Sequence, residues 1–114
     1  MEPRVEKPWG NYQTLYAGPG FQVKRIEVNP GCRLSLQKHF KRAEKWTVVQ
    51  GEGYAVLEGR NIRVKTGSVV DITVEAPHRM ANDAKSPLVF IEVQLGGYLG
   101  EDDIVRLEDD YNRK

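Results

Sequence analysis

Short β-rich runs, each bounded by a turn signal, limit the folds open to this chain more than any other feature of its sequence. Val, Ile, Phe, Tyr and Trp are concentrated in runs such as FQVKRIEV, SVVDITV and LVFIEVQL, and turn signals such as AGPG, NPG and QGEG lie between the runs. No segment shows a sustained apolar period of 3.6 residues. This spacing is typical of an all-β sandwich or barrel. Because a small open sheet would leave long edges exposed, we predict a closed jelly-roll barrel with a site at its mouth.

The length of the chain and its local turns add detail to this prediction. A chain of 114 residues is enough for one hydrophobic core but not for two, so we expect a single domain spanning 1–114. The stretch VLEGRNIRV predicts a tight hairpin with Gly59, Arg60 and Asn61 at the turn. The charged tail GEDDIVRLEDDYNRK is compatible with a short helical turn or with a terminal strand.

Charge and cysteine usage exclude several classes of function. The net charge is +1, from 17 basic and 16 acidic residues, so there is no electrostatic case for nucleic acid or an anionic membrane as the main partner. Cys32 is the only cysteine, which excludes an intrachain disulfide and a cysteine-based zinc cluster. No run approaches the ~20 apolar residues of a membrane span, and MEPRVEKPWGNY lacks the apolar segment of a signal peptide. We therefore expect a cytoplasmic protein.

The stretch LSLQKHFKRAEKW carries the first part of a candidate metal site. Gln37 and His39 are two positions apart, so a strand would point both side chains to one face, and Glu44 would begin the return strand. Gly31 lies six positions before Gln37, and Gly51 lies seven after Glu44. This is the first cupin motif, G-x5-HxH-x4-E-x6-G, with Gln37 in place of its first histidine.

The second part of the site lies downstream in GSVVDITVEAPHRMAN. This stretch fits the second cupin motif, G-x5-PxG-x2-H-x3-N, with Gly67, His78 and Asn82 in place and 73–75 replacing Pro-x-Gly. An amide oxygen, two imidazoles and one carboxylate form a mixed N/O ligand set that suits one divalent ion per chain. Zn is our first choice, and Mn, Fe, Co or Ni are compatible with the set. The predicted metal ligands are Gln37, His39, Glu44 and His78.

Beyond these motifs, almost the whole chain resembles one family. The stretches KPWGNY, PHRMAN and IEVQLGGYLGEDDIVRLEDDY, with the ligand stretch, resemble the cupin domain of type II mannose-6-phosphate isomerases. The resemblance implies a cupin-type double-stranded β-helix, a divalent metal at the four predicted ligands, and interconversion of mannose 6-phosphate and fructose 6-phosphate. In bacteria this domain often forms the C-terminal part of a bifunctional isomerase and mannose-1-phosphate guanylyltransferase. Because no nucleotidyltransferase domain is present, we expect the stand-alone isomerase form.

The chain departs from the family at three histidine positions. The family pattern is close to QMHHHRAEHW, whereas this chain has Phe40, Lys41 and Lys45. None of the three is a ligand position in the motif, so we expect the metal site to be retained. If one of the missing imidazoles moves the proton in the family, this chain would bind a sugar phosphate without isomerising it.

Catalysis and substrate binding require further residues. A base must carry a proton between C1 and C2, and the candidates are Glu92 on the last apolar strand, a hydroxide held by the metal, and a lysine near the mouth. Arg79 matches a family residue beside the last ligand, and we take it as the second candidate catalytic residue. The phosphate requires cations near the ligand segments, and the predicted cations are Arg33, Lys41 and Arg42.

Two other functions stay open at this stage. One is a non-catalytic, metal-containing cupin that binds a sugar phosphate, and the other is a metal-dependent dioxygenase. Gln37 and the isomerase-like C-terminal segment count against the dioxygenase. In each case we expect a small-molecule partner and a homodimer, because small cupins commonly pair through their sheets.

Overall fold

The computed structural model describes residues 2–111, and all regular secondary structure in that range is β-strand. The strands are β1 (Val5–Lys7), β2 (Gly10–Gly18), β3 (Phe21–Val28), β4 (Leu36–Lys38), β5 (Ala43–Gln50), β6 (Glu52–Leu57), β7 (Arg60–Lys65), β8 (Val69–Ile72), β9 (His78–Ala81), β10 (Leu88–Leu95) and β11 (Val105–Glu108). They form a six-stranded sheet, in the order β1-β2-β3-β10-β5-β8, and a five-stranded sheet, in the order β11-β4-β9-β6-β7. The predicted all-β fold is confirmed. Residues 2–111 also include no helix that is long and apolar enough to cross a membrane.

The core lies where alternating side chains of the strands point inward. In β5 the buried positions alternate with exposed ones, so that Glu44, Trp46 and Val48 are buried on one face. Trp46 packs against Phe90 of β10, with 4.9 Å between the ring centroids. The buried face of β5 is thus apolar at Trp46 and Val48 and polar at Glu44. Glu44, a predicted metal ligand, therefore lies at one end of the hydrophobic core.

The hairpin between β6 and β7 is present, but its turn is one residue earlier than predicted. Leu57 pairs with Arg60, so Glu58 and Gly59 alone form the turn. Both have positive φ angles, 50° and 81°. Two residues with positive φ match the twist of the flanking strands, which explains why the turn does not extend to Arg60 and Asn61.

The tail forms a strand, not a helical turn. Strand β11 pairs with β4, and Arg106 lies opposite Gln37. This pairing places the C-terminal segment beside the strand that carries the first predicted ligand. The last three residues of the tail, 112–114, lie outside the described residues.

Candidate metal centre and its cavity

The four predicted ligands line one cavity between the two sheets. Gln37 of β4 and His78 of β9 are cross-strand partners in the five-stranded sheet. Glu44 comes from β5 in the other sheet, and His39 directly follows β4. The spacing of the two motifs thus corresponds to proximity in space, because the sheets face each other at this point.

Three of these side chains present their donor atoms to one another. His39 Nε2 lies 3.3 Å from one carboxylate oxygen of Glu44, and His78 Nε2 lies 3.7 Å from the other. One ligand atom from each residue lies within 4.8 Å of the other two. All three side chains are buried. Gln37 is half-buried, and its amide nitrogen donates to the Ser35 carbonyl only at the outer limit of 3.5 Å.

Backbone carbonyls determine which nitrogen of each imidazole faces the carboxylate. The Nδ1 atom of His39 lies 2.6 Å from the carbonyl oxygen of Asp103, and that of His78 lies 2.8 Å from the carbonyl oxygen of Ala76. Each Nδ1–H therefore donates to a carbonyl, which leaves the Nε2 lone pair directed towards Glu44. Metal-binding histidines have this arrangement, in which an outer hydrogen bond fixes the tautomer.

Burial keeps both imidazoles neutral. Desolvation, followed by the charge of Arg42, lowers the pKa of His39 to about 4. Desolvation also lowers the pKa of His78. A metal ligand must be deprotonated at the coordinating atom, so both histidines meet this requirement at neutral pH.

The guanidinium of Arg42 contacts the candidate donors directly. Its Nε donates to Glu44 Oε2 at 2.8 Å, and its Nη2 lies 3.0 Å from His39 Nε2. An ion bound to His39 Nε2 would replace the second of these hydrogen bonds. Arg42, which was predicted from the sequence as a phosphate ligand, therefore contacts two candidate metal donors.

Glu92 of β10 is the second buried carboxylate of the cavity. The Trp46 indole donates to Glu92 at 3.2 Å, and the Gln94 amide donates to it at 2.6 Å. Desolvation, followed by the nearby charge of Glu44, raises the pKa of Glu92 to about 8. At neutral pH this group is therefore mostly protonated and close to its titration range.

Arg79 of β9 also lines the cavity and is held from two sides. Its Nε donates to the Leu34 carbonyl at 2.9 Å, and its Nη1 donates to Glu108 of β11 at 3.1 Å. Its Nη2 is buried and has no hydrogen-bond partner among the described residues. Arg79 thus has one donor free to meet a ligand.

The structure does not bring the other two predicted cations, Arg33 and Lys41, to the cavity lining. Arg33 makes two hydrogen bonds to Asp110, at 2.8 and 2.9 Å, outside the cavity. The ammonium group of Lys41 lies 5.0 Å from the centroid of the Tyr98 ring. Their assignment to phosphate stays a prediction, and it requires a movement of these side chains.

The three departures from the family pattern all lie outside the cavity lining. Lys41 is exposed, and so is Phe40, at 46%. Lys45 pairs with Asp71 at 3.0 Å, and both side chains are more than half exposed. These positions thus leave the candidate ligand set intact.

Two features of the cavity were not predicted from the sequence. Lys24 of β3 is buried and donates to Glu101 at 2.8 Å. The carboxylate of Asp103 accepts the backbone N–H groups of Phe40 and Lys41 at 3.0 and 2.9 Å, which fixes the loop after His39. The alternation in FQVKRIEV, where Lys24 shares a face with apolar positions, was an available signal for the first feature. The second involves positions more than 60 residues apart, and no local pattern predicts it.

Comparisons with known proteins identify the family and the fold. A family model described as mannose-6-phosphate isomerase C-terminal matches residues 1–109. The alginate biosynthesis protein AlgA of Pseudomonas aeruginosa is 49% identical over 109 residues, which is 96% of this chain and 23% of the relative. The mannose-1-phosphate guanylyltransferase ManC of Salmonella typhimurium is 44% identical over 113 residues, which is 99% of this chain and 24% of the relative. The chain thus spans only a minor part of the curated relatives it matches.

Solved structures confirm the fold. The capsular polysaccharide assembling protein CapF of Staphylococcus aureus superimposes with a TM-score of 0.83 at 22% identity, covering 93% of this chain and 34% of CapF. A cupin-2 domain from Rhodospirillum rubrum superimposes with a TM-score of 0.69 at 23% identity, covering 82% of this chain and 67% of that domain. The predicted cupin-type double-stranded β-helix is therefore confirmed. The family model shows, in addition, that the chain belongs to the mannose-6-phosphate isomerase C-terminal family.

Proposed function

We propose that this protein is a metal-dependent mannose-6-phosphate isomerase, which interconverts mannose 6-phosphate and fructose 6-phosphate. The observation that carries the proposal is the convergence of His39, Glu44 and His78 in a buried cavity that also contains Glu92. Family membership supports a sugar phosphate as the substrate, and the cavity lining offers groups suited to the reaction.

The donor set fits one divalent ion. His39 and His78 offer neutral Nε2 atoms, Glu44 offers a carboxylate, and Gln37 lines the same cavity. Zn is the first choice for such a mixed N/O set, with Mn, Fe, Co or Ni as alternatives. When bound, the ion would act as a Lewis acid on the oxygens at C1 and C2 of the sugar.

Glu92 is the group we assign to proton transfer. Aldose–ketose isomerisation removes a proton from C1 or C2 of the sugar, passes through a cis-enediol and returns a proton to the other of these two carbons. A base with a pKa near the working pH suits both steps, and the pKa of Glu92 is raised to about 8. The hydrogen bonds from Trp46 and Gln94 hold this carboxyl group in position.

Arg79 is the group we assign to the charge that develops on the sugar oxygens. Its Nη2 lies buried without a partner in residues 2–111, while its Nε and Nη1 are fixed by Leu34 and Glu108. A preorganised donor of this kind stabilises an oxyanion without reorganising during the reaction.

An assay under nitrogen tests the proposal. Metal-loaded protein is incubated with mannose 6-phosphate, and we expect fructose 6-phosphate to form. Glu92→Gln, which keeps the shape of the side chain, should lose at least about a hundredfold in kcat with its metal content unchanged. Saturable binding of mannose 6-phosphate without product would favour the non-catalytic binding function instead.

A further inference from the structure

Two buried cations meet one solvent-exposed carboxylate at the edge of the cavity. The Lys24 and Arg42 side chains are only 5% and 7% exposed, whereas the Glu101 side chain is 60% exposed. One carboxylate oxygen of Glu101 lies 2.8 Å from Lys24 Nζ and 3.6 Å from Arg42 Nη1. The cations are therefore fixed in the barrel, while the anion is held from the solvent side.

The pairing leaves the cations incompletely satisfied. Arg42 uses its Nε and Nη2 on Glu44 and His39, but its buried Nη1 makes no hydrogen bond to any described residue. At 3.6 Å Glu101 is too far for a hydrogen bond to this atom. A buried guanidinium donor without a partner is costly, so the site favours an anion with more acceptor oxygens than one carboxylate offers.

Glu101 lies on the irregular segment 96–104, which joins β10 to β11. The segment is anchored beyond Glu101, where Asp103 binds the loop after His39. Within the segment itself, the Tyr98 hydroxyl donates to Asp102, so this hydrogen bond spans Glu101. With its neighbours fixed in this way, a rotation of the Glu101 side chain alone would take the carboxylate off the two cations, without displacing Asp103 or the backbone carbonyl that orients His39.

The electrostatics of the site are those of an anion held by cations. The cavity wall removes part of the water around the Glu101 carboxylate, which opposes its ionisation even though the side chain is 60% exposed, but the charges of Lys24 and Arg42 outweigh this effect, so the pKa of Glu101 is lowered. A second ammonium group is near, because Lys7 lines the same cavity and lies 5.9 Å from the Tyr12 ring that also contacts Lys24.

We propose that Lys24 and Arg42 form a binding site for the phosphate of a phosphomonoester, and that the Glu101 carboxylate covers this site until the phosphate displaces it. A phosphate dianion brings three acceptor oxygens and more charge than a carboxylate, and it supplies the missing partner of Arg42 Nη1. The proposal deepens the proposed function and rests on it for the choice of a sugar phosphate as ligand. Arg42 would then contact both the phosphate site and the metal donors.

Titration with inorganic phosphate tests this site separately from catalysis. The protein is treated with a chelator, so that phosphate cannot bind through a metal. Glu101→Gln should bind phosphate about tenfold more tightly than the wild type, because the competing charge is gone. Lys24→Gln should bind it at least about tenfold more weakly, and Lys24→Arg should restore part of the affinity. Lys45→Gln, at an exposed ion pair outside the cavity, is the matched control and should bind like the wild type.

The result for Glu101→Gln decides the proposal even if the Lys24 variants fold poorly. Phosphate affinity that is unchanged or weaker in Glu101→Gln would overturn it, and so would wild-type affinity in a folded Lys24→Gln. Mannose 6-phosphate should compete with inorganic phosphate, and mannose should not. Turnover of mannose 6-phosphate without these phosphate effects would leave the proposed function intact and refute this site. The predicted phosphate effects without turnover would support this site and refute the proposed isomerase function.

Discussion

A single indole N–H joins the two buried carboxylates of the cavity. Trp46 Nε1 lies 2.9 Å from Glu44 and 3.2 Å from Glu92, so one donor orients a candidate metal ligand and the candidate base. The same ring packs on Phe90 in the core. Trp46 is therefore a core residue with a polar function at its edge, as is common for buried tryptophan.

Replacing Trp46 by Phe separates these two functions. The Trp46→Phe variant keeps an aromatic ring against Phe90 but removes one hydrogen-bond donor from each of two buried carboxylates, which keep only Arg42 and Gln94 as donors. We expect the free energy of unfolding to fall by about 1–3 kcal/mol and metal affinity to fall roughly tenfold. Urea unfolding and metal titration measure the two effects. Trp9→Phe, at another buried indole, is the control, and an equal loss of metal affinity there would contradict the assignment.

At the level of single strands, the alternation of side chains could be predicted from the sequence. A period of two determines which face of a strand is buried, as in β5, and the four predicted ligands Gln37, His39, Glu44 and His78 line one cavity. The segment 96–104 could not be predicted in this way. Its contacts to Lys24 and His39 join positions 77 and 64 residues apart, and no local periodicity records such pairings.

The position of the β6–β7 turn shows a second limit of local patterns. The letters EGRN allow Gly59 to be either the first or the second residue of a turn, and the cross-strand register selects the second. That choice leaves Glu58 with a φ of 50°, a region that asparagine tolerates better than glutamate.

The strain at Glu58 predicts a stabilising substitution. Glu58→Asn should raise the free energy of unfolding by about 0.5–1 kcal/mol, because Asn-Gly is the preferred pair for a two-residue turn with positive φ angles. Urea unfolding measures the change. Glu52→Asn, at an exposed position of β6, is the control and should not stabilise the protein. A loss of stability in Glu58→Asn would mean that the glutamate makes contacts that outweigh the strain.

In the molecule as a whole, the candidate metal donors come from both sheets. Gln37 and His78 belong to the five-stranded sheet, and Glu44 belongs to the six-stranded sheet. An ion held by this set would join the two layers at the polar end of the core. The homodimer stays a prediction, and a sedimentation mass near twice 13.0 kDa would support it.

Metal binding should therefore stabilise the entire fold and not only the cavity. A ligand that binds only the folded state, at about a hundred times its Kd, adds roughly 2.7 kcal/mol, which corresponds to a rise in Tm of about 10 °C for a domain of this size. We expect Zn to produce this rise in a single unfolding transition and a chelator to reverse it. His39→Ala and His78→Ala should each abolish the shift and the bound metal, whereas Lys45→Ala should retain both. If both histidine variants keep their metal and their shift, the ion binds elsewhere, and the two sheets are not joined through these donors.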